Sequence, residues 1–232
     1  MNYLLGVALV GILAGNCLAE RPHPHPTHHH HPHPHPTHHH HPPHPCKSPP
    51  EVEGSLSVTT PSGEFFSLGK YVYDAKGQRI RFENMGQYKN ESFKTDVLLL
   101  FKEHVMYEIN TENETCVKKE LKGTFHPMEI PDDATLLGQV VLGSLSEPGE
   151  GLLVNSWTGD IPEAQGKYFL IFTEFGCLPV TSLYHSPKTG WITTSFFNII
   201  VGIKDPRPLT PPPFCTDAMM EVENADFFST FF

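Results

Sequence analysis

Between Gly166 and Pro179 the chain reads GKYFLIFTEFGCLP, the most apolar run outside its first residues. Tyr168, Phe169, Leu170, Ile171, Phe172 and Phe175 are aromatic, aliphatic or β-branched. Gly166 stands in front of them, and Gly176 and Pro179 stand behind. So short an apolar run with such bounds predicts a buried strand rather than a helix. Cys177 follows it directly, where a disulfide would pin a core strand to a distant segment.

Whether such a disulfide can form depends on the compartment. Met1 to Ala19 has an apolar stretch from Leu4 to Leu13, then small residues at Cys17 and Ala19. That pattern predicts a signal peptide over residues 1–19, cleaved before Glu20 and too short to span a bilayer. Removal of Cys17 leaves Cys46, Cys116, Cys177 and Cys215, an even set expected to form two disulfides in any of three pairings. The sequons at Asn90 and Asn113 agree with secretion and are expected to carry glycans. No later run is long and apolar enough for a membrane span. The formal charge of -10 argues against a nucleic-acid partner held by a basic face.

From residue 20 to 50 the composition changes. The decapeptide HPHPTHHHHP occurs twice, at His23 to Pro32 and at His33 to Pro42. Proline removes backbone donors and nothing apolar is present to build a core, so this segment is expected to be a disordered tail. Its two tetrads, His28, His29, His30, His31 and His38, His39, His40, His41, offer neutral imidazoles suited to zinc, copper or nickel. The same histidines would gain charge on acidification, near pH 6.5. The plain alternative is a slippage-expanded repeat with no selected role.

Beyond Cys46, β signals dominate. Ser55–Thr60, Phe65–Asp74 and Arg79–Met85 read as meandering antiparallel strands turning near Gly77. Thr95–Ile109 has mostly apolar odd positions, which predicts one long strand, bent or split near Lys102 and Glu103, with its odd face inward; a helix is the competing reading. Cys116–Leu121, Leu152–Thr158, Lys167–Phe175, Val180–His185 and Trp191–Ile203 are further strands. Asp132 to Thr135 reads as the opening of a short helix or turn over Thr135–Gly143. Strand after strand predicts an all-β domain over residues 51–216, two packed antiparallel sheets or an open barrel, with residues 217–232 as a C-terminal tail.

Chemical motifs are sparse. His104, His126 and His185 are the only histidines of this domain, and none belongs to a zinc-protease motif. No nucleophile elbow or phosphate-binding glycine loop occurs. The expectation is a non-enzymatic protein whose apolar strands either fill a core or splay apart around a cavity for an acyl chain.

Three segments carry a resemblance: Gln78 to Glu83, Trp157 through Asp160-Ile161-Pro162 to Tyr168, and Gly176 to Val180. Phe214-Cys215 after Asp205-Pro206 adds to them. Taken in order, with the sequons and cysteine spacing, the chain from about Cys46 to about Asp217 resembles the ependymin-related proteins. The resemblance implies two curved antiparallel sheets around an apolar pocket, similar to bacterial lipoprotein carriers, often in a homodimer. It implies lipid or ganglioside binding, calcium binding and adhesion to extracellular matrix, with the protein outside the cell or in the lysosome lumen. It also implies the pairings Cys46 with Cys177 and Cys116 with Cys215. The His/Pro tail has no counterpart in that pattern. Glu112, Glu114, Asp132, Asp133, Glu147 and Glu150 lack EF-hand spacing, so no calcium ligand set is named. Strand parity together with the resemblance selects Val97, Leu99, Phe101, Phe169, Ile171, Phe197 and Ile199 as pocket residues. The rival reading is an adhesion or matrix protein with a packed interior.

Overall fold

The computed structural model describes residues 42–162, 165–187 and 190–221. The expected signal peptide, both histidine tetrads and the last residues of the C-terminal tail lie outside them.

The all-β expectation holds. Among the described residues, eleven antiparallel strands follow one another: β1 (Glu51–Thr59), β2 (Phe65–Asp74), β3 (Arg79–Tyr88), β4 (Glu91–Leu100), β5 (Val105–Asn110), β6 (Thr115–Glu120), β7 (Thr135–Gly143), β8 (Gly151–Ile161), β9 (Gly166–Thr173), β10 (Pro179–Ser186) and β11 (Gly190–Val201). A two-residue strand, β12 (Met220–Glu221), pairs in parallel with β6. All twelve form one open ladder in the order β12-β6-β5-β4-β3-β2-β1-β11-β10-β9-β8-β7. The two expected sheets are thus the halves of one continuous sheet, joined where β1 pairs with β11.

Local chemistry sets the hairpins. Asp74 Oδ1 accepts the Gly77 N–H at 2.8 Å, and its other oxygen accepts from Arg79 Nη2 at 2.6 Å, closing the β2–β3 turn. Lys89 and Asn90 both have positive φ, 48° and 69°, as a two-residue hairpin loop of the primed type demands. Asn110 Oδ1 accepts from the Glu112 and Asn113 amides and folds the β5–β6 turn. Asn90 and Asn113, the sequon asparagines, therefore sit exposed on hairpin turns.

Pleating divides the sheet into two faces. One face of β1–β4 packs Val52, Leu56, Tyr71, Tyr73, Ile80, Phe82, Val97 and Leu99 with Phe101 and Met106. The connection over residues 121–134 crosses this packing: Phe125 stacks on Tyr73 at 5.8 Å and meets Phe101 edge-on at 5.3 Å. Met128 N–H donates to the Tyr73 hydroxyl at 3.0 Å. The same connection delivers Ile130 to a second cluster of Trp157, Tyr168, Leu170, Phe172 and Cys177. On the opposite face of β4 and β5, Leu98, Leu100 and Ile109 pack under Leu209 and Cys215.

Two local expectations need correction, and a third is resolved. Thr135–Gly143 is a strand rather than a helix or turn; it pairs with β8 as the sheet's last strand, with a register shift between Leu136 and Gly138. Thr95–Ile109 is split, as one option had it, by a turn over residues 101–104 that separates β4 from β5. Across that hairpin Leu98 pairs with Tyr107 and Leu99 with Met106, so odd residues of β4 face with even residues of β5. The odd set therefore does not share one face: Val97 and Leu99 join the first cluster, whereas Tyr107 and Ile109 join the packing under Leu209.

Candidate functional site

A groove of about 1040 Å³ runs over the β1–β6 half of the sheet. Leu68, Met85, Ile109 and Phe197 supply apolar lining, Lys70 and Glu83 contribute polar groups, and Leu56, Asn84, Thr95 and Val97 border it while their side chains belong to the other face. Leu68, Met85 and Phe197 are exposed, so the apolar lining is open to an incoming molecule. The groove's charges are largely matched. Arg81 donates to both oxygens of Asp96, Nε to Oδ1 at 2.8 Å and Nη2 to Oδ2 at 2.6 Å, and its Nη1 donates to the Pro208 carbonyl at 3.0 Å. This bidentate pair is almost fully buried, and through Pro208 it fastens the C-terminal segment to the sheet. At the rim, Lys94 pairs with Glu112 at 2.6 Å and links two hairpins.

The other half of the sheet offers a second accessible surface. Tyr184 keeps 44% of its surface accessible. Yet burial raises the pKa of its hydroxyl, and Tyr168 beside it adds to the rise. Its register partner Tyr168 is buried in the second apolar cluster.

Two disulfides frame these surfaces, Cys46 with Cys177 and Cys116 with Cys215. These are the two pairings that the resemblance implied. The first ties the segment before β1 to the end of β9, where Ser48 Oγ also donates to the Cys177 carbonyl at 2.7 Å. The second holds the residues after β11 against β6.

A sequence model of the ependymin family matches residues 89–215. Ependymin-2 of Carassius auratus is 36% identical over 189 residues, 81% of this chain and 87% of that protein. The chain belongs to the ependymin family. Ependymin of Notemigonus crysoleucas is 35% identical over the same length, with the same coverage. Among solved structures, an uncharacterized conserved protein from Thermus thermophilus is similar at a TM-score of 0.47 and 12% identity, covering 74% of this chain and 89% of that one.

Within this ependymin fold the expected pocket residues part company. Phe197 lines the groove, whereas Val97 borders it but is packed in the first cluster. Leu99 and Phe101 are packed in the first cluster, and Ile199 rests against it. Phe169 and Ile171 are half-buried on the face of β9 opposite Leu170, whose neighbours Tyr168 and Phe172 share its cluster. Sequence parity missed Leu68 and Met85, which form a direct cross-strand pair in the groove. Their exposure among polar residues hid them in the pattern. His104 and His126 are exposed, and His185 lies against Trp191 at 5.0 Å. Among the described residues, no three His, Cys, Asp or Glu side chains converge as a metal site, and no helix is long and apolar enough to cross a membrane.

Proposed function

We propose that this ependymin-family chain is a secreted, non-catalytic glycoprotein that binds the acyl chain of a lipid along its sheet. The groove of about 1040 Å³ with exposed Leu68, Met85 and Phe197 carries the reading. Its volume is at the upper end of the roughly 300–1,000 Å³ usual for small-molecule sites. Single exposed apolar residues are ordinary on a surface, but several converging on one groove mark a binding site. Calcium binding, adhesion to extracellular matrix and homodimer formation belong to the same proposal and rest on family membership alone.

The test is displacement of a fluorescent acyl probe from the purified chain. Met85→Asp and Phe197→Asp alter exposed residues, so folding is preserved while a charge enters the apolar lining. Each is expected to weaken the probe at least tenfold. Unchanged binding by both folded variants would remove the groove as the site and favour adhesion over a packed core.

A second reading concerns the tail, and the duplicated decapeptide favours it. His28–His31 and His38–His41 bind zinc or copper independently of the β domain. Zinc titration of the full mature chain beside a chain beginning at Cys46 tests it. Equal binding by the two would end this reading.

A further inference from the structure

The two ends of the open ladder are finished differently. At one end the short strand β12 lies along β6, whose residues include Lys118, Lys119 and Glu120. Short edge strands and charged side chains are the usual devices that keep a sheet from pairing with a neighbour. At the other end β7 has neither. It runs nine residues, TLLGQVVLG, with no charge and no proline, and among the described residues its outer side pairs with no strand.

The side chains around this edge are apolar and open. Val140 pairs with Val154 and Leu142 with Leu152, so Val140, Leu142 and Leu152 share one face of the sheet. All three are exposed, as are Leu137 beside the register shift and Leu145 just past the strand. The polar side chain at the middle of β7 is turned back onto its own sheet: Gln139 Nε2 donates to Asn155 Oδ1 at 2.9 Å and to Glu174 Oε2 at 3.1 Å. Both sequon asparagines lie on hairpins of β3–β6, so neither expected glycan attaches to this edge.

We infer that the outer edge of β7 is the interface at which two copies of this chain pair, antiparallel, into one sheet continuous across both. The homodimer enters the reading above from family membership, on which this inference rests; the edge gives it a location and a strength. A two-fold axis near Gln139 lays β7 against β7 of the second copy, so the same patch meets itself. Such pairing brings like charges together, and β7 has none to repel. It also joins the exposed apolar side chains of the two copies into one strip. The opposite end of the ladder, with β12 over charged β6, offers no matching edge, so the assembly closes at two instead of growing into a filament.

The size of the edge sets the strength. Nine residues at about 3.4 Å each make an edge roughly 30 Å long, and a sheet with its side chains is about 10 Å thick, so strand pairing covers roughly 300 Å² per copy. A standard interface buries about 800 Å² per partner. Leu137, Val140, Leu142 and Leu152 narrow that gap without closing it, so the dimer is a weak one that comes apart on dilution.

Sedimentation velocity of the full mature chain from about 1 to about 200 μM tests this, beside Val140→Lys, Val140→Glu and, at the opposite end of the ladder, Met220→Lys. The wild type is expected to pass from monomer to dimer over that range and to form nothing larger. Each Val140 variant is expected to weaken dimerisation at least about tenfold, because close to the axis the new charge meets its own copy. Met220→Lys is expected to leave it unchanged. An equimolar mixture of Val140→Lys and Val140→Glu is expected to recover the dimer, a rescue that a folding defect would not give. Hydrogen exchange of the β7 amides in the wild type needs no variant and is expected to slow as the dimer forms. Val140 variants that dimerise like the wild type, or β7 amides whose exchange ignores dimer formation, overturn this interface and leave the homodimer to another surface. A wild type that stays monomeric throughout overturns the homodimer as well, while acyl binding is judged separately by Met85→Asp and Phe197→Asp.

Discussion

Phe197 and Ile199, two residues apart on β11, lie on opposite faces of the sheet. Phe197 is 45% exposed and lines the groove, whereas Ile199 packs against the first apolar cluster. The ladder explains it. Val201 and Ile200 pair with Val52 and Glu53, then Phe197 pairs with Ser55, so β11 holds two residues opposite the single Gly54. Asn198, at a φ of 52°, absorbs the extra residue as a β-bulge. The bulge turns Phe197 outward while keeping Phe196 and Ile199 inward.

Asparagine tolerates this left-handed backbone, and a β-branched residue does not. Asn198→Val is expected to destabilise the fold by about 1–2 kcal/mol and Asn198→Gly to be nearly neutral. Urea denaturation of the two variants checks the contrast. A larger loss in Asn198→Gly than in Asn198→Val would refute the bulge assignment.

The buried pair Arg81–Asp96 predicts an asymmetric penalty. Removing one partner leaves a buried charge unmatched, which costs about 3–5 kcal/mol. Asp96→Ala is expected to fall in that range. Lys94→Ala, at an exposed pair with Glu112, is expected to cost less than about 1 kcal/mol. Similar losses at both sites would contradict this assignment of buried and exposed pairs.

Asp74 predicts a pH dependence. Burial opposes its ionisation, but the Gly77 N–H and the Arg79 guanidinium outweigh that and hold its pKa below the ordinary carboxylate value. A depressed folded pKa gives stability that is fully present above the unfolded value, about 4, and is lost as pH falls through the folded one. Asp74→Asn is therefore expected to be less stable than wild type at pH 7, with the gap closing in acid. Unfolding free energies at pH 7 and pH 2.5 read this out, and a gap that widens in acid would reverse the sign.

The two disulfides join residues 131 and 99 positions apart. Loops of that length restrict the unfolded chain by about 4–5 kcal/mol each in the entropic description. Replacing Cys46 and Cys177 together with serine is expected to cost about 2–5 kcal/mol, the usual effect of losing a native bridge. A melting temperature unchanged by the double replacement would show that the bridge contributes nothing to stability.

Much of the architecture was legible wherever turn chemistry and alternation agreed. Gly77 marked the β2–β3 turn, and the apolar run at Tyr168 became β9 at its predicted place. Elsewhere local signals pointed the wrong way. Asp132, Asp133 and Thr135 look like a helix start, but the ladder on β8 takes Thr135–Gly143 as a strand, and its exposed Leu137, Val140 and Leu142 blur any alternation. Face assignment was least legible. The β4–β5 hairpin pairs odd with even residues and the bulge at Asn198 adds one residue, so parity carried along the sequence changed face twice without a local sign.

The most direct test is native mass spectrometry of the chain secreted from animal cells, followed by solvent extraction of whatever it carries. One lipid per chain, released by extraction and lost in Phe197→Asp, is the predicted result. A glycosylated, disulfide-bonded chain that emerges without ligand and takes up no acyl probe would contradict lipid binding.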